Sequence, residues 1–175
     1  MTRLSYNYSD RYLLDLLGRR DGSSKLHPVQ RWKNFYSVSG GWVLSNENFM
    51  KSLEWLSNLK IRYNYGKTGS VEGIGNYEQY ATLSTGTAYF GKSMASQSTL
   101  ALAGMTSASR TWETITSHDI GLDFSFLNNQ LYGSFDYYSK RNNGMFIPVT
   151  YPSILGASAP KSNNGKFSAT GREFE

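Results

Sequence analysis

Along much of the chain apolar and polar residues alternate one by one, the period of a strand whose two faces meet different surroundings. The clearest run is Leu59-Lys60-Ile61-Arg62-Tyr63-Asn64-Tyr65-Gly66, where Leu59, Ile61, Tyr63 and Tyr65 share a face opposite Lys60, Arg62 and Asn64. Slipping such a strand by one residue would exchange its faces, so its register is strongly specified. Two more two-faced strands run from Thr114 to Phe126 and from Gln130 to Lys140, joined by the turn Leu127-Asn128-Asn129. In the first, Ile120, Leu122 and Phe124 oppose Asp119, Gly121 and Asp123; in the second, Leu131, Phe135 and Tyr137 oppose Ser134, Asp136 and Tyr138. Each is about as long as the ~9 to 11 residues that cross a bilayer at a tilt.

Upstream, Leu4 to Tyr8 and Tyr12 to Leu17 read as a hairpin around Ser9-Asp10-Arg11, with Tyr12, Leu14 and Leu16 on one face and Leu13, Asp15 and Leu17 on the other. A further strand spans Phe35 to Leu44, and a last one begins near Lys166. Phe49, Leu53 and Leu56 fall near helical spacing, so one or two helical turns are expected over Asn48 to Leu56. No capping box supports them.

The connections alternate in length. Ser9 to Arg11, Ser45 to Leu56 and Leu127 to Asn129 are the shorter ones; Arg19 to Arg31, Lys67 to Arg110 and Asn142 to Asn163 are the longer. In an up-and-down antiparallel sheet, alternate connections emerge at the same end, so one rim carries tight turns and the other long loops. That asymmetry belongs to transmembrane β-barrels of the outer-membrane type. Tyr8, Tyr12, Trp42, Tyr63, Tyr65, Phe124 and Tyr137 lie toward strand ends on the apolar face, where aromatic rings suit a lipid-water boundary. The expected fold class is therefore all-β: antiparallel up-and-down strands, about seven of them, forming part of a transmembrane β-barrel. The alternative is a soluble β-sandwich, such as a carbohydrate-binding module, whose apolar faces meet each other.

Composition sharpens this picture. Aromatic residues make up 15% of the chain, yet mean hydropathy is −0.48, as interleaving requires. There is no cysteine, which removes disulfides, thiolate metal sites and thiol catalysis. The net charge of +5 comes from scattered Lys and Arg, a poor match to nucleic-acid binding. No segment approaches the ~20 apolar residues of a membrane-spanning helix. Met1 to Tyr6 lacks the apolar core of a signal peptide, so an outer-membrane role implies that the 175 residues are part of a larger barrel protein.

Enzyme chemistry finds little support. Ser117-His118-Asp119 has the residue types of a hydrolytic triad, but neighbours on a strand point to opposite faces and cannot converge. Gly73-Ile74-Gly75 opens like a phosphate-cradling loop but lacks the third glycine and the helix. His27 and His118 form no metal-ligand constellation, and Asp119 and Asp123, on one face about 13 Å apart, are too distant for glycoside hydrolysis. No catalytic residue, metal or cofactor is expected. Binding chemistry is better represented: Tyr77, Tyr80, Tyr89, Phe90 and Trp112 lie in or beside the longest loop, and aromatic faces suit sugar rings or apolar peptide side chains.

Several segments, in order over nearly the whole chain, resemble the C-terminal barrel half of the SusC/RagA family of TonB-dependent outer-membrane receptors. They include Tyr6-Asn7-Tyr8-Ser9-Asp10-Arg11-Tyr12, Arg20-Asp21-Gly22-Ser23-Ser24-Lys25, Trp55-Leu56-Ser57-Asn58-Leu59-Lys60-Ile61-Arg62, Tyr65-Gly66-Lys67-Thr68-Gly69, Asp119-Ile120-Gly121-Leu122-Asp123-Phe124 and Gly133-Ser134-Phe135-Asp136-Tyr137-Tyr138. The sequence departs from the family pattern at Asn34 to Ser37, which lacks a proline, at Asp119 in place of asparagine, and at Arg172 in place of tryptophan. The resemblance implies a plugged barrel of about 22 strands in the bacterial outer membrane, powered through TonB by way of the N-terminal region and capped by a SusD-like surface lipoprotein. It implies uptake of oligosaccharides or oligopeptides, with the plug, signal peptide and barrel closure outside residues 1–175.

Overall fold

The computed structural model describes residues 1–92, 94–152, 154, 156 and 159–175. Among the described residues nine strands form: β1 (Thr2–Tyr8), β2 (Tyr12–Gly22), β3 (Trp32–Val43), β4 (Leu56–Ser70), β5 (Leu83–Phe90), β6 (Ala95–Leu102), β7 (Glu113–Phe126), β8 (Leu131–Ile147) and β9 (Ser162–Phe174). Seven make one sheet in the order β1-β2-β3-β4-β7-β8-β9, and β5 and β6 pair only with each other. Every pairing is antiparallel.

The seven strands of the main sheet are those expected from alternation, but most run further toward the long loops. β4 reaches Ser70 and β8 reaches Ile147, past the Gly66 and Lys140 at which alternating hydrophobicity fades. Backbone pairing continues there because the neighbouring strands still offer partners, such as Ser70 opposite Glu113. The β5–β6 hairpin lies inside the expected loop from Lys67 to Arg110, and its Ser, Thr and Gly residues carry no two-faced pattern. The helical turns expected over Asn48 to Leu56 do not form. A single 3-10 turn occupies Leu44–Asn46, and successive turns follow, with Met50 N–H donating to Glu47 O and Leu53 N–H to Met50 O. Without a cap, the spacing of Phe49 and Leu53 does not nucleate a helix.

Register aligns like with like. Ile61 faces Trp42 and Leu122, and Leu122 faces Phe135; one position on, Arg62 faces Gly121, which faces Asp136. Across these rungs one side of the sheet is thus apolar and the other polar. Among the described residues no second layer covers the apolar side: Ile61 is 39% exposed, Tyr63 43%, and Leu122 and Phe124 remain partly exposed. A sandwich would bury these side chains. Among the described residues the buried hydrophobics are Leu26, Phe35, Ile74 and Trp112, which cluster at the long-loop rim with Val71 and Phe146 against them.

Candidate functional site at the long-loop rim

The long loops are assembled around that small core. Phe35, near the start of β3, meets Trp112 edge-on with ring centroids 5.5 Å apart. Gly69 of β4 lies directly under the Phe35 ring, where a Cβ would overlap it, so glycine is required at that position. The Trp112 indole N–H donates to Arg31 O at 3.2 Å, tying the β2–β3 loop to the start of β7. Ile74, 2% exposed, brings the segment after β4 into the same core.

A polar frame then fixes the loop backbone. Glu78 accepts the Gly75 N–H at 2.8 Å, closing the turn begun by Gly73-Ile74-Gly75. Arg110, almost fully buried, donates to Glu78 Oε2 at 2.7 Å and to the Glu78 carbonyl. Burial raises the Glu78 pKa, but the Gly75 N–H and Arg110 outweigh it, and the carboxyl is held below its ordinary value. Lys161 donates to Gly73 O at 2.7 Å, and Asn163 bridges the Thr111 and Gly144 backbones.

On this frame sits an open hollow lined by Tyr77, Tyr80, Thr82, Met105, Arg110 and Lys161, with neighbouring backbone. Tyr77 and Tyr80, 73% and 57% exposed, flank a turn in which Tyr80 N–H donates to Tyr77 O. The structure therefore brings together two of the aromatic residues singled out from sequence. Tyr89 and Phe90 are exposed near the tip of the β5–β6 hairpin, on opposite faces of it and outside the hollow. Trp112, 6% exposed, is an anchor of the rim core, its ring and N–H both engaged. Sequence reading passed over Arg110 and Lys161, and a lone cation in a Ser- and Thr-rich stretch carries no signal by itself; the usable clue was the acceptor Glu78 beside a Gly-x-Gly turn.

The polar side of the sheet is a second surface. Arg62 forms a bidentate pair with Asp123 at 2.8 and 2.9 Å and reaches over Gly121 to Asp136 at 3.0 Å. A Cβ on Gly121 would collide with the Arg62 guanidinium, so the missing side chain opens that path. Asn64 donates to Asp119 at 3.0 Å on the same side, whereas His118 meets the Tyr63 hydroxyl at 3.0 Å on the apolar side. Ser117, His118 and Asp119 are thus split across the sheet and form no triad. Among the described residues no cluster of acidic, His or Cys side chains could hold a metal ion.

No family model matches the chain. The chain is 35% identical to the TonB-dependent receptor P26 of Formosa agariphila over 173 residues, covering 98% of this chain and 17% of that protein. It is 32% identical to the TonB-dependent receptor SusC of Bacteroides thetaiotaomicron, again over 98% of this chain and 17% of the relative. Its fold superposes on a structure of the RagAB peptide transporter with TM-score 0.83 and 30% identity, covering 98% of this chain and 18% of that one. A structure of the RagAB peptide importer in the "closed-closed" state gives TM-score 0.84 at 29% identity, with the same shares covered. The chain thus spans 17% of the length of the curated relatives it matches.

Proposed function

We propose that this chain, which belongs to the TonB-dependent receptors of the SusC/RagA type, supplies barrel wall and outer loops to an outer-membrane transporter for oligosaccharides or oligopeptides. The observation that carries the reading is the uncovered apolar face of the seven-stranded sheet, on which Tyr12, Trp42, Tyr63 and Tyr137 stand exposed. In water such a face would be a large sticky patch; against lipid it is the wall of a barrel. The opposite face, with Arg62, Asn64, Asp119, Asp123 and Asp136 satisfying one another, suits a watery lumen.

In this reading the β5–β6 hairpin and the hollow at Tyr77 and Tyr80 face outward and make early contact with substrate, the rings stacking on sugar or apolar peptide groups. Tyr89 and Phe90 extend that aromatic surface along the hairpin. A SusD-like surface lipoprotein above the long loops, and TonB acting through the receptor's N-terminal region, complete the transporter. The loop rim lies outside the cell and the short-turn rim faces the periplasm.

The test is alternate-position labelling along β4 in the receptor that carries this segment, in outer-membrane vesicles. Ile61→Cys and Tyr63→Cys should react with a lipid-soluble maleimide, and Arg62→Cys and Asn64→Cys with a water-soluble one. Reaction of all four with the water-soluble reagent alone would exclude the barrel wall.

A further inference from the structure

Charge on the seven barrel strands is sorted by face. Every carboxylate, namely Asp15, Asp21, Glu113, Asp119, Asp123, Asp136 and Glu173, has the inward parity of Arg62 and Gly121, whereas Arg20, Lys67, Arg141, Lys166 and Arg172 have the outward parity of Ile61 and Leu122. The outward side of these strands thus holds cations and no anion. Bare scatter would not produce that separation, and a cation facing hydrocarbon would be costly.

Apart from Arg172, the outward cations are also sorted by height. The rung Ile61, Leu122, Phe135 and Phe174 is apolar; the next, Tyr63, Ile120, Tyr137 and Arg172, is aromatic with a cation at its β9 end; the third is Tyr65, His118, Ser139 and Thr170. The fourth is Lys67, Thr116, Arg141 and Ser168, and Lys166 stands one rung further beside Asn143. Two residues per rung put Lys67 and Arg141 about 20 Å along the strand from Ile61. With strand tilt, that spans from the bilayer interior to headgroup level on the long-loop side.

At this level the wall is dented. One hollow is lined by Thr116, His118, Ser139, Arg141 and Asn143, and an adjoining one by Arg141, Asn143, Lys166, Phe167 and Ser168. Arg141 and Asn143 border both. Among the described residues the ion pairs take up Arg3, Arg11, Arg19, Arg62 and Arg110, and none holds Lys67, Arg141 or Lys166. Arg141 and Lys166 are exposed and border these hollows, and Lys67, half-buried, stands on the same rung as Thr116 and Arg141. Arg and Lys beside hydroxyl and amide donors are the groups that bind phosphate oxygens.

We infer that Lys67, Arg141 and Lys166, with Thr116, Ser139, Asn143 and Ser168, form a binding site on the outer wall of the barrel for the phosphate-bearing headgroup of an outer-leaflet lipid. The inference rests on the barrel reading, since only that reading sets these rungs against lipid. Charge complementarity selects the occupant: an anionic headgroup fits a surface with cations and no carboxylate, and a zwitterionic one does not. The lipid would hold β4, β7, β8 and β9 together at the rim where the longest loops leave the sheet.

The experiment uses the receptor that carries this segment, purified in detergent, with dye-labelled lipopolysaccharide as probe. The variant K67Q/R141Q/K166Q should weaken binding on the order of a hundred-fold, the product of three cations, and removing the phosphates from the probe should do the same. The inward variant K60Q/K140Q, which removes two positive charges where the outward one removes three, should leave binding intact. Should the triple variant fail to insert, R141Q against R141K answers in its place, R141K retaining binding and R141Q losing it. Equal binding by the wild type and the outward variant would overturn the site, as would displacement of the probe by inorganic phosphate at matching affinity. The β4 labelling pattern is read on the same samples, so a failed lipid site and a failed barrel reading give different results.

Discussion

At the short-turn rim a single carboxylate gathers its neighbours: Glu47 accepts hydrogen bonds from the Tyr12 hydroxyl at 2.7 Å and the Trp42 indole at 3.2 Å, with Arg11 at 3.6 Å. At the long-loop rim the gathering is done by Leu26, Phe35, Ile74 and Trp112, four side chains removed from water. The short turns need little more than backbone closure. Asn46 donates to Asp10 O, Leu127 N–H to Trp55 O and Asn129 N–H to Ser57, so each turn leans on the next within a few residues of the sheet. The long loops leave the ladder behind, and ordering them costs about 1 to 2 kcal/mol per residue in backbone entropy alone. The buried apolar cluster offsets part of that cost, together with the hydrogen-bonded frame of Glu78, Arg110, Lys161 and Asn163. A rim that carries long loops and an open hollow therefore has its own core, while a rim that only reverses the chain does without one.

The strongest way to break this contrast is to remove the anchor of the loop core. Trp112→Ala should cost about 3 to 5 kcal/mol of loop-rim stability, as large-to-small changes at buried aromatics do. Hydrogen-exchange protection should fall across residues 71–80 and at Thr111, and stay at native levels at Arg11, Val43 and Leu127, whose N–H groups close the other rim. Equal loss at both rims would mean that they are one cooperative unit and that the comparison has no content.

That contrast also governs what could be read from the sequence. The main-sheet strands were legible because two-sided solvation writes itself into parity, as at Lys60 to Tyr65 and Asp119 to Phe124. The β5–β6 hairpin was not, because most of its residues are exposed on both faces and nothing constrains Ser84 to differ from Thr85. Trp112 read as a binding aromatic because proximity to a loop says nothing about burial; its packing against Phe35 links β3 to β7, distant in sequence. Tyr77 and Tyr80 read correctly as loop aromatics, but their shared hollow depends on Arg110 and Lys161 arriving from elsewhere in the chain. Pairwise contacts between loops leave no periodic trace.

A middle-sized effect tests what the loop core supports. Tyr77→Ala combined with Tyr80→Ala should weaken substrate capture about ten-fold, some 1.4 kcal/mol, a reasonable figure for two lost aromatic contacts. Uptake measured at limiting substrate should drop by that factor and recover at saturation, with hydrogen exchange at the loop rim unchanged. If uptake is unaffected while protection around Ile74 falls, the two tyrosines serve packing alone and the hollow is not a capture surface.

The smallest effect comes from pH, and it separates the rims by sign and by location. Glu47 is held below its ordinary value by the Tyr12 hydrogen bond first, then Trp42 and Arg11. A depressed carboxylate contributes stability in full above the unfolded value of 4.5 and loses it as pH falls through the lower folded value. Acidification from neutral to below 4.5 should therefore loosen the short-turn rim, raising exchange at Arg11 and Val43. Glu78 is depressed as well, but its loop also rests on Ile74 and Trp112, which carry no charge and feel no proton. Glu47→Gln should flatten the pH dependence at the short-turn rim and leave the long-loop profile unaltered. A wild-type profile already flat at Arg11 and Val43 would show that backbone closure, and not Glu47, holds that rim.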